Sequence, residues 1–436
     1  MPAREIRVGL IGFGTIGTGV VKLLQRRRAA IDARLGAPLR LVRIADVDTK
    51  RDRGVRLTKG VLVPDAAAVY GADDIDVVIE LMGGYEPARR FVLAALAAGK
   101  SVVTANKALL AVHGREILGA AAKAGVDVGL EASVGGGIPI VRVLRDGLVA
   151  DRMRGVYGIV NGTCNHILST MTHDGRGFAE ALSEAQASGL AEADPSFDID
   201  GTDSAHKLVI LAALAFGAEL KLREVPTEGI RGIDQMDVEY ARELGCVIKL
   251  LAIATCDGRR VAARVHPALV PAEHVLAGVG GAFNAIYLDG EALGSSMCYG
   301  LGAGMMPTAT AVVGDVVEVA RNRIAAAAGR IPPLGFAAIR RLPLVPMGDL
   351  RTAYYLRIMA RDRPGVLGDI ASVLGRHAIS IGTVIQKGRS AATVVPVVIR
   401  THEARERDVQ AALRAIRRMK AVQGRPFCLR IEENLA

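Results

Sequence analysis

Residues 5–17 read Glu5-Ile6-Arg7-Val8-Gly9-Leu10-Ile11-Gly12-Phe13-Gly14-Thr15-Ile16-Gly17, and this stretch decides how the first third of the chain folds. Residues 5–11 form a short apolar strand, and Thr15–Gln25 reads as a helix. Between them, Gly12 to Gly17 spell G-x-G-x-x-G. That pattern is weak alone, but after a strand and at the mouth of a helix it is the context a dinucleotide loop requires. Gly12 permits a tight turn, Gly14 lets a pyrophosphate approach the backbone, and Gly17 lets the helix pack on the strand. The helix start around Phe13, Thr15 and Ile16 supplies N–H donors and a partial positive charge to phosphates.

Outward from the loop, Leu39–Ala45 reads as a second strand ending at Asp46, the acidic position expected to meet ribose hydroxyls. Asp46 lies 29 residues after Gly17, and the basic helix extension Gln25–Arg34 accounts for the length. Asp46 favours NAD, whereas Lys50, Arg51 and Arg53 could meet a 2′-phosphate. The choice between NAD and NADP stays open, with a lean to NADP. Further strands at Ile75–Leu81, Ser101–Thr104 and Val126–Leu130 alternate with helices at Pro87–Ala98 and Leu109–Ala124. Such alternation predicts an α/β, Rossmann-like doubly wound parallel sheet over residues 1–133. Residues 134–307 change texture and predict a mixed α+β domain. Ala309–Ala328 reads as a long helix closed by Gly329, and a segment 308–329 would pack back on the first domain. Residues 330–350 hold four prolines and read as a linker. Residues 351–436 follow the order βαββαβ, a ferredoxin-like unit whose fourth element is a strand expected at Ala392–Arg400.

The composition of the 436 residues excludes several classes of protein. Half the residues are apolar and 23% are charged, which suits a globular protein. With no Trp and 4% aromatic residues, a nucleic-acid reader built on stacked rings is not expected. The longest apolar run, Leu208–Ala218, is about half a membrane span. The first residues lack a signal-peptide pattern, so the expectation is a cytoplasmic protein without a membrane partner. Five scattered cysteines form no CxxC pair, which argues against a disulfide framework or a zinc site. The net charge is +10, of which residues 351–436 carry +9. Those charges alternate with a regular apolar pattern, so they read as a solvated face rather than a nucleic-acid patch.

Chemistry concentrates in a few places. Glu192, Asp194, Asp198, Asp200 and Asp203 place five carboxylates within 12 residues, a loop that attracts an ammonium group. A calcium loop fails because its last ligand position would fall on Lys207. Asp203 and Lys207 sit four apart at a helix start and share one face. An ammonium that loses hydration beside the run Leu208–Ala218 gives up its proton more readily, which suits acid–base work. Lys107 follows a parallel strand at the carboxyl edge where such sheets bind ligands. Glu131 and the glycine-rich Val134-Gly135-Gly136-Gly137 offer oxygen donors for a hard cation. In the tail, Asp362-Arg363-Pro364-Gly365-Val366-Leu367 joins a strand to a helix. Gly365 allows close backbone approach there, and the helix N–H groups suit a carboxylate.

Several segments together resemble homoserine dehydrogenases. They are Thr104-Ala105-Asn106-Lys107, Glu131-Ala132-Ser133-Val134-Gly135-Gly136-Gly137-Ile138-Pro139, Asn161-Gly162-Thr163, Ala191-Glu192-Ala193-Asp194-Pro195 with Asp198, Asp203 and Lys207, and Gly302-Ala303-Gly304. The tail resembles an ACT domain. The resemblance implies that L-homoserine and L-aspartate 4-semialdehyde interconvert, as in threonine, methionine and isoleucine biosynthesis. It implies that Lys207 exchanges the hydroxyl proton with help from Asp203, that Glu192 and Asp198 hold the substrate, and that Lys107 serves both substrate and cofactor. It further implies cofactor contacts at Thr104 and Gly304, and a monovalent metal such as sodium on Glu131 and the carbonyls of Val134, Gly136 and Ile138. It also implies a homodimer or homotetramer, with L-threonine as effector on the tail. Cys164, His166 and Leu190 depart from the family's common residues. Two alternatives compete: a phosphorylating aldehyde dehydrogenase using Cys164, and a non-catalytic amino-acid sensor.

Overall fold

The computed structural model describes residues 4–387, 394–433 and 435. The chain divides into two units, and neither is continuous in sequence. The first comprises Met1–Val156, His206–Arg223 and Asn284–Leu342. The second comprises Tyr157–Ala205, Glu224–Phe283 and Pro343–Ala436.

The first unit is built on a six-stranded parallel sheet. Its strands are β1 (Ile6–Ile11), β2 (Leu39–Ala45), β3 (Leu62–Val63), β4 (Val77–Glu80), β5 (Ser101–Thr104) and β6 (Val128–Gly129), in spatial order β3-β2-β1-β4-β5-β6. This is the doubly wound order, with the reversal between β1 and β4 where ligands bind. Val8, Leu10, Val77, Ile79 and Val103 form the core together with Val312 and Val316 of the helix Met305–Ile324. That helix starts four residues earlier than the sequence suggests and stops before Gly329. The expected helix extension at Gln25–Arg34 is a separate helix, Arg28–Leu35, because the first helix ends at Arg26. The helix expected from Leu109 begins at Lys107, since the Asn106 side chain caps it by accepting from the Leu109 N–H.

The second unit contains an antiparallel pair, Cys246–Cys256 and Val261–Pro271. Strand Phe427–Ile431 pairs in parallel with Val261–Pro271 and antiparallel with Arg351–Arg361. Arg351–Arg361 pairs in turn with Val394–Thr401, and that strand with Ile381–Gln386. The expected residues Ala392 and Thr393 lie outside the described residues. Helices Val366–Arg376 and Glu406–Arg417 complete the ferredoxin-like tail. Val409, Ala412, Leu413 and Ile416 are the buried stripe of the latter helix, at the spacing of one helical face, so its arginines fall on the opposite side. Among the described residues no helix is long and apolar enough to cross a membrane.

Candidate active site

The glycine loop in the first unit has the geometry its sequence requires. Gly12 sits at φ +97°, and a Cβ there would lie 2.7 Å from Leu81 backbone atoms. A Cβ on Gly17 would lie 2.3 Å from the Gly12 carbonyl oxygen, so only glycine lets this helix approach its strand. At Gly14 a Cβ would meet nothing within 4 Å, leaving the face above the loop open for a ligand.

Asp46 is more committed than its position suggested. One carboxylate oxygen accepts from the Phe13 N–H at 2.6 Å, and the other from the Asp48 N–H at 2.9 Å. Arg53 lies 3.3 Å from the same carboxylate, donates to the Phe13 carbonyl at 2.5 Å, and stacks over the Phe13 ring. The acidic and basic candidates, read as rivals, therefore form one structure that braces the loop. Arg53 is the functional candidate whose placement the linear order could not give, because it returns to the loop from 40 residues away.

At the carboxyl ends of β4 and β5, Thr104 donates to the buried Glu80 at 2.6 Å and accepts from the Asn106 N–H at 2.9 Å. Burial raises the Glu80 pKa. Asn106 also donates to the Gly84 carbonyl at 2.8 Å, so the turn that makes Lys107 the first helical residue is held on two sides. Gly304, at φ +116°, precedes the helix Met305–Ile324. Glu131 is 3% exposed; burial and the nearby Asp315 carboxylate push its pKa up to about 7. Its oxygens accept the N–H groups of Val141 and Arg142 at 2.8 and 3.0 Å. Arg142 lies 3.6 Å from Glu131 and 3.0 Å from Asp315, and the Arg145 guanidinium adds a second positive charge near both carboxylates. Lys207 is 8% exposed on the helix Thr202–Phe216.

In the second unit the structure brings Asp198 and Asp203 together through Asn161. The Asn161 amide donates to Asp198 at 2.7 Å and to Asp203 at 2.9 Å. Its carbonyl oxygen accepts from the Cys164 N–H at 2.8 Å, capping the helix Gly162–Asp174. The sequence reading quoted Asn161 as part of a motif but gave it no role; the detectable signal was a helix-capping residue ahead of Gly162. Glu192 is exposed, on the turn before the helix Ser196–Ile199. Cys164 is fully buried, and its thiol donates to the Asp198 carbonyl at 3.3 Å. In the tail, Gly365 at φ +90° precedes the helix Val366–Arg376, and Gln386 donates to Asp362 at 3.2 Å.

A glycine loop on a doubly wound sheet, a lysine on the helix that also bears Asp203, and a ferredoxin-like tail define a nicotinamide-dependent oxidoreductase with an appended sensory module. Comparison with known proteins gives the family. The homoserine dehydrogenase NAD-binding domain matches residues 12–131, the homoserine dehydrogenase catalytic domain residues 139–317, and an ACT domain residues 354–420. Homoserine dehydrogenases of Neisseria gonorrhoeae and Pseudomonas aeruginosa are each 42% identical, covering 98% and 99% of this chain and 99% of their own. The crystal structure of a homoserine dehydrogenase from Thiobacillus denitrificans superposes with a TM-score of 0.93 at 44% identity, covering 99% of each chain. The chain belongs to the homoserine dehydrogenase family of NAD(P)-dependent oxidoreductases.

Proposed function

We propose that this chain interconverts L-homoserine and L-aspartate 4-semialdehyde by hydride exchange with a nicotinamide cofactor, under feedback by L-threonine. The observation that carries the residue roles is the Asn161-bridged pair of Asp198 and Asp203, with Lys207 one helical turn beyond Asp203. A nicotinamide held at the glycine loop would supply hydride to the aldehyde carbon, and the Lys207 ammonium gives its proton to the carbonyl oxygen. Asp203, on the same helix, assists that lysine. Asp198 and Glu192 receive the substrate ammonium, and Lys107 orients its carboxylate or the nicotinamide ribose. The pairing of Arg53 with Asp46 offsets the repulsion a carboxylate would exert on a 2′-phosphate, which supports use of NADP. A sodium ion on Glu131 and the carbonyls of Val134, Gly136 and Ile138 would act structurally.

As part of this proposal, cofactor binding is assigned to residues 1–133, substrate binding and self-association to 134–307, a linker to 330–350, and regulation to 351–436. Self-association is supported by the edge strand Gly294–Leu301, whose Met297, Tyr299 and Leu301 are 37%, 52% and 46% exposed. Regulation by an amino acid is supported by the turn around Asp362, Pro364, Gly365, Val366 and Leu367, a helix start open to a carboxylate.

One assay tests this reading: homoserine-dependent reduction of NADP and of NAD by the purified full chain, with and without millimolar threonine. Lys207→Ala is expected to lower kcat by roughly 10²–10⁴. No turnover with either nicotinamide would overturn the function. An unchanged kcat would remove Lys207 from the proton transfer, and a rate indifferent to threonine would remove that effector.

A further inference from the structure

We propose that the first unit carries a second ligand site, a cavity of about 930 Å³ that takes a small organic anion with an apolar body. It lies between the helix Lys107–Ala124, the part of Thr202–Phe216 beyond Lys207, and the segment 328–339. The volume is that of a site for a drug-sized molecule. Leu118, Ile210, Leu220, Leu334, Phe336 and Ile339 make the lining apolar.

Two features show that the space is built rather than left over. The first is a pair of glycines inside the helix Lys107–Ala124. Glycine in a helix interior costs about 1 kcal/mol relative to alanine. Elsewhere in this unit close packing repays that cost: a Cβ on Gly19 would lie 2.9 Å from the Met305 carbonyl oxygen. Gly114 and Gly119 both line the cavity, and a Cβ on either would meet nothing within 4 Å. No neighbour requires them; what they preserve is volume. The second feature is the outer wall. The Gly329 N–H donates to Asp127 at 2.9 Å, and Arg330 to Asn322 at 2.9 Å. At the other end Arg340 exchanges backbone hydrogen bonds with Gly217 and Glu219, each 2.9 Å long. The Phe336 ring is seated on Gly217, where a Cβ would lie 2.9 Å from it. Anchored at both ends, the segment stands off the floor and turns its apolar side chains inward.

The charge of the lining selects the ligand. Arg115 and Arg223 line the cavity with a single carboxylate, Glu219, which Arg115 meets at 3.0 Å. The surplus is positive, so the polar end of the ligand is a carboxylate, sulfonate or phosphate. Leu110 and Ala111 line the cavity just after Lys107, and Val209 and Ile210 just after Lys207. A ligand here touches both lysine-bearing helices and so alters turnover, a consequence that rests on the roles proposed for those lysines.

The probe is 1-anilinonaphthalene-8-sulfonate, titrated by fluorescence into the full chain with NADP saturating, so that the nucleotide cleft does not compete. The expected result is one saturable site per chain. Gly119→Phe, which fills the cavity from the helix, should weaken binding at least tenfold while leaving kcat without probe unchanged. Gly114→Leu serves if that variant fails to fold. The neutral analogue N-phenyl-1-naphthylamine and the variant Arg223→Gln should each bind several-fold more weakly. Unchanged affinity in the filled variants, or no saturable binding, overturns the site. Equal affinity for the neutral analogue overturns the anion preference. Binding that leaves homoserine oxidation untouched overturns the link to the lysines, and because binding is read without turnover, that result is distinct from a failure of the proposed activity.

Discussion

Asn161 makes three hydrogen bonds, and two are donated to carboxylates that would otherwise repel each other. Its two jobs, capping a helix and bridging Asp198 to Asp203, are separable. Serine also caps a helix but is too short to bridge the two carboxylates. Asn161→Ser is therefore expected to keep most of the thermal midpoint while lowering kcat/KM for homoserine at least tenfold; equal loss of activity and stability would reduce Asn161 to a cap. Glu432 offers a test of a different kind. Burial alone would raise its pKa, but the Arg264 guanidinium, at 2.8 and 2.9 Å, together with His266 holds it at about 2. Its folded-state pKa is below the ordinary 4.5. The stabilisation is therefore present above about pH 4.5 and lost as pH falls toward about 2, and it amounts to about 3 kcal/mol. Urea midpoints measured across that window should fall steeply in the native chain and less so in Glu432→Gln.

At the scale of elements, the first helix owes its place to a missing side chain. Gly17→Ala would drive a methyl to within 2.3 Å of the Gly12 carbonyl oxygen, so the helix must move off β1. An overpacking cost of about 1–3 kcal/mol is expected, seen as a lower thermal midpoint, with weaker binding of the nicotinamide dinucleotide because the phosphate-facing N–H groups shift with the helix. Strands buried on both faces, such as β4, stood out in the sequence as continuous apolar runs. The strand Gly294–Leu301 did not, because glycines and serines interrupt it and alternate residues are exposed. A helix limit moved where a side chain arbitrated: Asn106 drew the start expected at Leu109 forward to Lys107.

At the scale of the molecule, the tail is less separable than a proline-bearing linker suggests. Arg430 and Ile431 pair with Ala268 and Leu269 in parallel. Arg430 also binds Glu228 and Glu406, each through two bonds of 2.8–2.9 Å, and Arg357 binds the buried Asp237 at 2.6 and 3.0 Å. Removing residues 351–436 would bare the edge of Val261–Pro271 and strip Asp237 of Arg357 and Arg264 of Glu432, charges that the tail now both pairs and covers. A chain ending at residue 350 is thus expected to be insoluble or to unfold well below the full chain, as read by thermal denaturation. Point changes at the Gly365 turn are the sound way to ask about effector binding.

By itself the sequence determined what depends on local chemistry. The glycine loop, the alternation of strand and helix, the cluster from Glu192 to Lys207 and the βαββαβ order of the tail are all written in spacing and residue type, because each needs only neighbours along the chain. Tertiary structure decided whatever depends on partners distant in sequence. Arg53 joined Asp46 at the loop, Asn161 reached 42 residues to Asp203, and five chain crossings assembled two units where the sequence suggested successive domains. The reason is physical: a buried charge is stable only beside its counter-charge or a donor, and which residue supplies that partner is set by the packing of whole elements, not by the order in which they occur.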